Sequence, residues 1–145
     1  MASPKAYDVY VGILGGVGNQ TNQPVFAGLG VTIGADVDLT DVVFVGAELR
    51  GTAYWNNTGF SSWEVLGFGC LGFHATDAVD LYVMGGAAYA VTSANMALNY
   101  YGFGAGAEFA VADGMSLRTE VSAYGDWGVA PDTLQGTVGL LWQIK

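Results

Sequence analysis

The sequence predicts an all-β fold, an eight-stranded antiparallel up-and-down transmembrane β-barrel, and three observations lead to this prediction. Apolar and polar residues alternate with period two, which is the spacing of a strand with two unlike faces. Turn signals of two kinds alternate along the chain. Aromatic residues gather near the ends of the apolar faces. Together these features are typical of a barrel that turns its apolar face toward lipid.

The composition is apolar for a domain of this size. Hydrophobic residues make up 52% of the 145 residues and charged residues only 12%, whereas about a quarter of the residues in soluble domains are charged. No run of about 18 apolar residues exists that could form a membrane-spanning helix. The net charge of −9, with only four Lys and Arg, excludes the basic surface that nucleic acid requires.

Clusters of Gly, Pro, Asn and Asp divide the chain into eight segments of similar length. Short Asp-containing connections follow the second, fourth and sixth segments. Longer connections follow the first, third, fifth and seventh segments. Since a meander places alternate turns at opposite ends, each end of the barrel carries one class. We predict a single domain over 1–145, with 1–5 flexible or foreign to the barrel, and strands at 6–16, 25–37, 42–55, 62–74, 79–92, 98–111, 116–127 and 133–143.

One parity of each strand is polar or rich in glycine, and we place that parity inside the barrel. The third and seventh strands show it most clearly, because their charged residues all share one parity. We expect the glycines to fit a crowded interior and to allow close strand contacts. The predicted inward residues are Asp8, Tyr10, Gly12, Leu14, Gly28, Gly30, Thr32, Gly34, Glu48, Arg50, Thr52, Tyr54, Glu64, Leu66, Phe68, Cys70, Gly72, Gly102, Gly104, Gly106, Glu108, Arg118, Glu120, Ser122, Tyr124, Asp126, Thr137, Gly139 and Gln143.

The outward aromatic residues form two predicted rings at the membrane interfaces. Trp63 and Phe73 lie ten residues apart on one strand, which spans roughly 25 Å at about 3.3 Å per residue and about 40° of tilt. That distance is about the height of the apolar band of a membrane barrel. The ring near the longer connections contains Trp55, Trp63, Tyr89, Tyr101 and Trp127, and the opposite ring contains Tyr7, Phe73, Phe109 and Trp142.

Six inward charged residues are the candidate site: Glu48, Arg50, Glu64, Glu108, Arg118 and Glu120. The interior of an eight-stranded barrel is just wide enough for side chains. Because unpaired charges there are costly, we expect a hydrogen-bonded ion network that fills the lumen. If the turn at Asp113-Gly114 contains three residues, Glu108 faces Glu120 with Arg118 diagonal to both. Four carboxylates outnumber two arginines, so we hypothesise that one Glu keeps a proton or holds a water or a cation.

Other chemistry has little support in the sequence. Paired carboxylates suit acid–base catalysis, but a filled lumen leaves no cleft for a substrate, so we predict no catalytic residues. His74 is the only histidine, and with Cys70 on the same face it supplies fewer ligands than a metal site usually needs. We predict that His74 is a polar residue at the rim, and that the protein has no metal and no cofactor.

The stretch from Tyr100 to Trp127 reads YYGFGAGAEFAVADGMSLRTEVSAYGDW: a glycine-rich strand ending in an acid, a short turn, and an LRTE strand followed by a tyrosine. It resembles the penultimate hairpin of the small eight-stranded outer-membrane barrels of Gram-negative bacteria, such as the transmembrane domain of outer membrane protein A and the opacity-porin-like family. The final GTVGLLWQIK resembles the terminal strand that the barrel-assembly machinery reads, although Trp142 is followed by three more residues where the family normally ends in Phe or Trp. The resemblance implies an integral outer-membrane barrel with a mostly structural role.

We therefore expect a non-enzymatic monomer in the cell outer membrane. Its expected partners are the membrane lipids and, during biogenesis, the barrel-assembly machinery, with no nucleic acid. No segment after Met1 has the form of a secretory signal peptide, so we expect this chain to be the mature form. Two alternatives stay open. A narrow pore for small ions or solutes requires a water path past Arg50 and Arg118, and a soluble lipocalin-like ligand-binding barrel requires the apolar face to be the inner one.

Overall fold

The computed structural model describes residues 7–20, 25–56, 59–92 and 97–144. No helix in these ranges is long and apolar enough to cross a membrane. The largest boundary difference is at the end of the first strand, which the sequence predicts at 16 and the structure places at Gln20. The strands are β1 (Tyr7–Gln20), β2 (Val25–Asp38), β3 (Val43–Asn56), β4 (Gly59–His74), β5 (Val79–Thr92), β6 (Ala97–Ala112), β7 (Met115–Gly125) and β8 (Thr133–Ile144).

The eight strands form one closed barrel in chain order, and β8 pairs with β1 to complete it. Each strand is antiparallel to its neighbours; Val11, for example, lies opposite Ile33 on β2 and Trp142 on β8. Closure leaves no strand edge unpaired, as a strand fold within a bilayer requires. The predicted fold class is confirmed.

The apolar residues of each strand face outward, and the polar residues at the alternate positions face the lumen. The outward side chains of Leu29, Val31 and Val121 are 65%, 63% and 66% exposed, whereas Arg118 and Glu120 are 2% and 3% exposed. A soluble barrel has the opposite arrangement, because water must contact its polar face. The lipocalin-like alternative is therefore wrong.

Inward glycines make room for aromatic rings from the neighbouring strand. A Cβ added at Gly28 would lie 2.7 Å from Cε1 of Tyr54, and one added at Gly102 would lie 2.5 Å from Cδ1 of Tyr124. Within the described ranges, six inward rings lie over a directly paired glycine, so glycine is what allows large side chains to fill a narrow lumen. The pairs are Phe26 on Gly18, Tyr54 on Gly28, Tyr10 on Gly34, Phe44 on Gly72, Tyr124 on Gly102 and Tyr82 on Gly106.

The β6–β7 hairpin corrects the predicted register. Its turn contains two residues, Asp113 and Gly114, and Gly114 has a positive φ of 72° that suits such a turn. A bulge next to Ala110 then takes up one extra residue. As a result Glu108 lies directly opposite Arg118, and Gly106 lies opposite Glu120. The prediction that Glu108 faces Glu120 across a three-residue turn is wrong.

The end of β7 also differs from the prediction. The strand ends at Gly125, and Asp126, predicted to face inward, is exposed in the connection that follows. The chain turns there because Gly128 has a positive φ of 88° and the amide of Val129 donates to the carbonyl of Asp126. At the other end of the barrel, Gln143 is exposed although it lies opposite inward Tyr10.

Candidate functional site in the barrel lumen

Arg50 joins two strands across the middle of the lumen. Its Nε and Nη2 donate to Oε2 of Glu48 on the same strand, at 3.0 and 2.6 Å. Its Nη1 and Nη2 donate to the two carboxylate oxygens of Glu120 on β7, at 2.9 and 3.0 Å. This second contact is a bidentate pair, in which the planar guanidinium matches the carboxylate geometry.

Arg118 makes the complementary connection from β7. Its Nη1 donates to Oε1 of Glu48 at 2.6 Å, and its Nε and Nη2 donate to Oε2 of Glu108 at 3.1 and 2.7 Å. Its Nη1 also lies 3.5 Å from Oε2 of Glu120. Both arginines therefore share Glu48 and Glu120. We call Glu48, Arg50, Glu108, Arg118 and Glu120 the central network.

Two tyrosines complete the central network. The hydroxyl of Tyr10 donates to Glu48 at 2.7 Å, and that of Tyr82 donates to Glu120 at 2.5 Å. Their ring centroids also lie 5.4 and 5.3 Å from the guanidinium carbon of Arg118. Among the described residues, no buried side-chain nitrogen or oxygen lacks a hydrogen-bond partner. The central network is thus fully satisfied, which is what makes buried charge tolerable.

Glu64 is the one predicted member that the structure leaves apart. Glu64 is 2% exposed, and it accepts a hydrogen bond from the hydroxyl of Tyr54. That hydroxyl also lies 3.4 Å from Oε1 of Gln135 on β8. No ion pair within 4 Å joins Glu64 to a cation of the described ranges. Glu64 forms a separate polar group nearer the longer connections.

The polar partners of these acids were not predicted from the sequence. Tyr10 and Tyr54 were predicted to face inward, but no contact with Glu48 or Glu64 was inferred, and Tyr82 and Gln135 were not considered. Tyr10 and Tyr54 each lie opposite an inward glycine of a neighbouring strand, Gly34 and Gly28 respectively. This pairing depends on the strand register, so the sequence alone does not reveal it.

The mouth of the lumen at the short turns contains His74. Its Nδ1 lies 2.6 Å from Oδ1 of Asp80, and its Nε2 lies 2.9 Å from Oδ1 of Asp38. Cys70, two inward positions deeper, donates weakly to Asp36 at 3.8 Å. In the part of the chain that the structure describes, no group of three His, Cys, Asp or Glu side chains could hold a metal ion.

A small cavity separates this mouth from the central network. Its volume is about 10 Å³, close to the minimum that one water molecule needs. The aromatic and charged side chains around it fill the rest of this part of the lumen. The cavity is lined by Tyr10, Asp36, Phe44, Glu48, Phe68, Cys70, Tyr82, Met84, Glu108 and Arg118.

Charge is distributed unevenly between the two ends of the barrel. At the end of the short turns, acidic residues occur both in the strands and in the turns. At the other end, the connection from 126 to 132 contains two, Asp126 and Asp132, and the sequence has no charged residue at 21–24, 57–58 or 93–96. The acids at the short-turn end are Asp8, Asp36, Asp38, Asp41, Asp77, Asp80, Glu108 and Asp113.

The predicted interface aromatics lie on the outer surface wherever their side chains are described. The ring of Trp127 follows the end of β7 and packs on Tyr101, with centroids 5.6 Å apart. The hydroxyl of Tyr101 donates to the carbonyl of Val129 at 2.5 Å. The side chain of Tyr7 lies outside the described part of the chain. The exposed fractions are 39% for Trp55, 44% for Trp63, 45% for Phe73, 45% for Tyr89, 38% for Phe109, 61% for Trp127 and 39% for Trp142.

Solved structures of small outer-membrane barrels share this fold. The outer membrane enzyme PagL is 16% identical, with a TM-score of 0.67 over 92% of this chain and 99% of its own. Neisserial surface protein A is 14% identical, with a TM-score of 0.64 over 95% and 97% of the two chains. The attachment invasion locus protein Ail of Yersinia pestis is 12% identical, with a TM-score of 0.63 over 98% and 100%.

Neither a family model nor a curated protein matches this sequence. The similarity to the solved structures therefore concerns the fold. At that level, it confirms the resemblance to small eight-stranded outer-membrane barrels that the sequence analysis identified. The similar proteins include an enzyme, PagL, so the fold does not by itself define an activity.

Proposed function

We propose that this protein is an integral barrel of the Gram-negative outer membrane with a mainly structural role, and that its central network closes the lumen. The observation that carries the proposal is the combination of an apolar outer surface with a filled, charged interior. The outer surface matches hydrocarbon, and the closed strand ladder satisfies the backbone groups that lipid cannot. The aromatic side chains at both ends of the apolar surface suit the two membrane interfaces.

The proposed partners follow from the same surface. We propose that the barrel contacts outer-membrane lipids as a monomer and depends on the barrel-assembly machinery for insertion. We also propose that it has no catalytic role. In support, the inward Ser122 donates its hydroxyl to Tyr124 at 3.2 Å, and His74 is held by two aspartates at the turn end of the barrel. A serine nucleophile needs an adjacent base instead.

A narrow pore is the second candidate, because the lumen is lined with charges. The side chains of Arg50 and Arg118 are 4% and 3% exposed, so a permeant ion would have to displace the central network. Such a displacement breaks several charge-assisted hydrogen bonds at once, and each of these is worth about 1.5–3 kcal/mol. The structural role is therefore the better supported of the two.

We expect the protein to fold only with micelles or lipid, and then to migrate differently on a gel before and after boiling. We also expect the folded protein to give no conductance steps in planar bilayers. We expect no single-channel current, because side chains fill the lumen. The measurement is single-channel recording on protein whose folding has been verified by gel mobility. Arg118→Ala is the matched variant. Steady wild-type conductance that this variant abolishes would support the pore, and folding without detergent would contradict a membrane barrel.

Glu64 is the carboxyl group that we expect to keep a proton at neutral pH. An ionised carboxylate that is buried without a cation is costly, and within the described ranges the hydroxyl of Tyr54 is the hydrogen-bond donor that contacts Glu64. Carboxyl-selective NMR of the four inward glutamates should show one protonated signal, which disappears in Glu64→Gln. Glu108→Gln is the control that should leave it in place. Four ionised glutamates in the folded wild type would rule the expectation out.

A further inference from the structure

His74 connects strands that are not neighbours in the barrel. It is the last residue of β4 and lies directly opposite Asp80 on β5. Asp38 is the last residue of β2, on the far side of β3. The imidazole binds both carboxylates at once, through Nδ1 at 2.6 Å and Nε2 at 2.9 Å. One side chain therefore links β2, β4 and β5 at the turn-side mouth of the lumen.

Two carboxylate partners require a doubly protonated ring. An ionised carboxylate only accepts hydrogen bonds, so each ring nitrogen must carry a hydrogen to donate. Neutral imidazole has one N–H, and imidazolium has two. Loss of one proton from His74 thus removes one of the two bonds, whichever tautomer forms. The side chain of His74 is 33% exposed, so the surrounding solution can exchange that proton.

The charges around His74 favour the imidazolium. Asp38 comes from β2 and Asp80 from β5, while Asp41 and Asp77 lie in the two adjoining turns. On β6, Glu108 lies directly opposite Asp80, and its own partner is Arg118 on β7. β3 contributes the uncharged Phe44. The residues facing His74 are thus predominantly acidic, and the arginine is already bound in the central network.

The imidazole also packs on an aromatic ring inside the lumen. Its centroid lies 5.1 Å from that of Phe44, with the two rings 31° apart. The Phe44 ring in turn lies over Gly72, the inward position between His74 and Cys70. Below this pair of rings is the cavity of about 10 Å³ that Cys70 and Phe44 line. Phe44 thus contacts both the cavity and the imidazole of His74.

We propose that His74, with Asp38 and Asp80, is a pH-sensitive latch on the turn-side mouth of the lumen. While the ring is protonated, both bonds hold it over Phe44 and the mouth is closed. When the ring loses a proton, one carboxylate is released, the ring swings with its remaining partner, and water and small solutes reach the cavity. The central network lies deeper and keeps the lumen closed to through-flow.

Cys70 provides the readout, since it is the only cysteine of the chain and lines the covered cavity. The labelling rate of its thiol by a small water-soluble methanethiosulfonate is measured in folded protein from about pH 5.5 to about pH 9, for the wild type and for His74→Gln. Because the thiolate fraction rises with pH in both proteins, the two labelling rates are compared as a ratio at each pH. We expect the variant to react about tenfold faster at acidic pH, the factor that one charge-assisted hydrogen bond supplies. The ratio should fall toward one at alkaline pH.

A ratio that stays near one, or that does not change with pH, would overturn the latch. Imidazole nitrogen NMR of the folded wild type gives a test that needs no variant to fold. It should show two protonated ring nitrogens at about pH 6, and the loss of one together with faster amide exchange in the 39–42 and 75–78 turns as the pH rises. A neutral ring at about pH 6 would also contradict the proposal. So would amide exchange rates in the two turns that do not change as His74 titrates.

Discussion

Replacing Arg118 with methionine should destabilise the folded barrel by about 3–5 kcal/mol, the cost of leaving a buried charge without its partner. Arg118 is the only cation within 4 Å of Glu108 in the described part of the chain, at 2.7 Å. Methionine fills similar space and supplies no charge, so Glu108 would be left uncompensated, while Glu48 would keep Arg50. The measurement is urea unfolding in lipid vesicles, followed by gel mobility and tryptophan fluorescence.

A double-mutant cycle separates this charge effect from lost packing. The double variant, Arg118→Met with Glu108→Gln, has no uncompensated carboxylate at position 108. We expect its unfolding free energy to exceed that of Arg118→Met alone by at least about 1 kcal/mol. Arg118→Lys is the second control. It keeps the charge, but a single ammonium cannot reproduce the planar fork that binds Glu48 and Glu108 together. Strictly additive effects in the cycle would show that Arg118 acts through its bulk and not through its charge.

Replacing Gly86 with alanine should cost about 3 kcal/mol, because the added methyl group has no space between two strands. A Cβ at Gly86 would collide with the carbonyl oxygen of Gly67, and would lie 2.8 Å from its carbonyl carbon and 2.9 Å from Cα of Phe68. All three atoms belong to the backbone of β4 and cannot rotate away. The strands must separate locally, which weakens the hydrogen bonds between β4 and β5. The same unfolding experiment measures the loss.

Gly85 provides a control that differs by one position on the same strand. It faces outward, and the nearest atom to an added Cβ there is the carbonyl oxygen of Gly102, at 3.9 Å. Gly85→Ala should therefore change the unfolding free energy by no more than about 0.5 kcal/mol. Similar losses for the two variants would mean that strand propensity, and not the close backbone approach at Gly86, controls the outcome.

The faces of the strands could be predicted from the sequence because alternation is a local property. Glu48 and Arg50, or Arg118 and Glu120, share a parity whatever lies opposite them. Once the apolar side of each strand is assigned to lipid, the inward and outward residues follow. The prediction for Asp126 was wrong, because Gly128 turns the chain out of β7 and alternation ends there.

The partners within the lumen could not be predicted in the same way. The two-residue turn and the bulge residue together shift the register by two positions, so that Glu108 meets Arg118 and not Glu120. The contacts of Arg50 with Glu120 cross the barrel between β3 and β7, so they depend on how far the strands are staggered on closure. Glu64 shares a parity with the central network but lies at another height in the lumen. Its isolation is a property of the assembled barrel that no single strand reveals.

The uneven charge of the two ends has a consequence for the kinetics of insertion. A barrel that enters a bilayer with its short turns trailing must carry only its longer connections through the hydrocarbon, and these contain Asp126 and Asp132. The reverse entry would carry Asp41, Asp77 and Asp113 across, with the acids of the strand ends behind them. Each buried charge raises the crossing barrier by about 2 kcal/mol or more. The distribution of acids along the chain thus favours insertion with the short turns trailing.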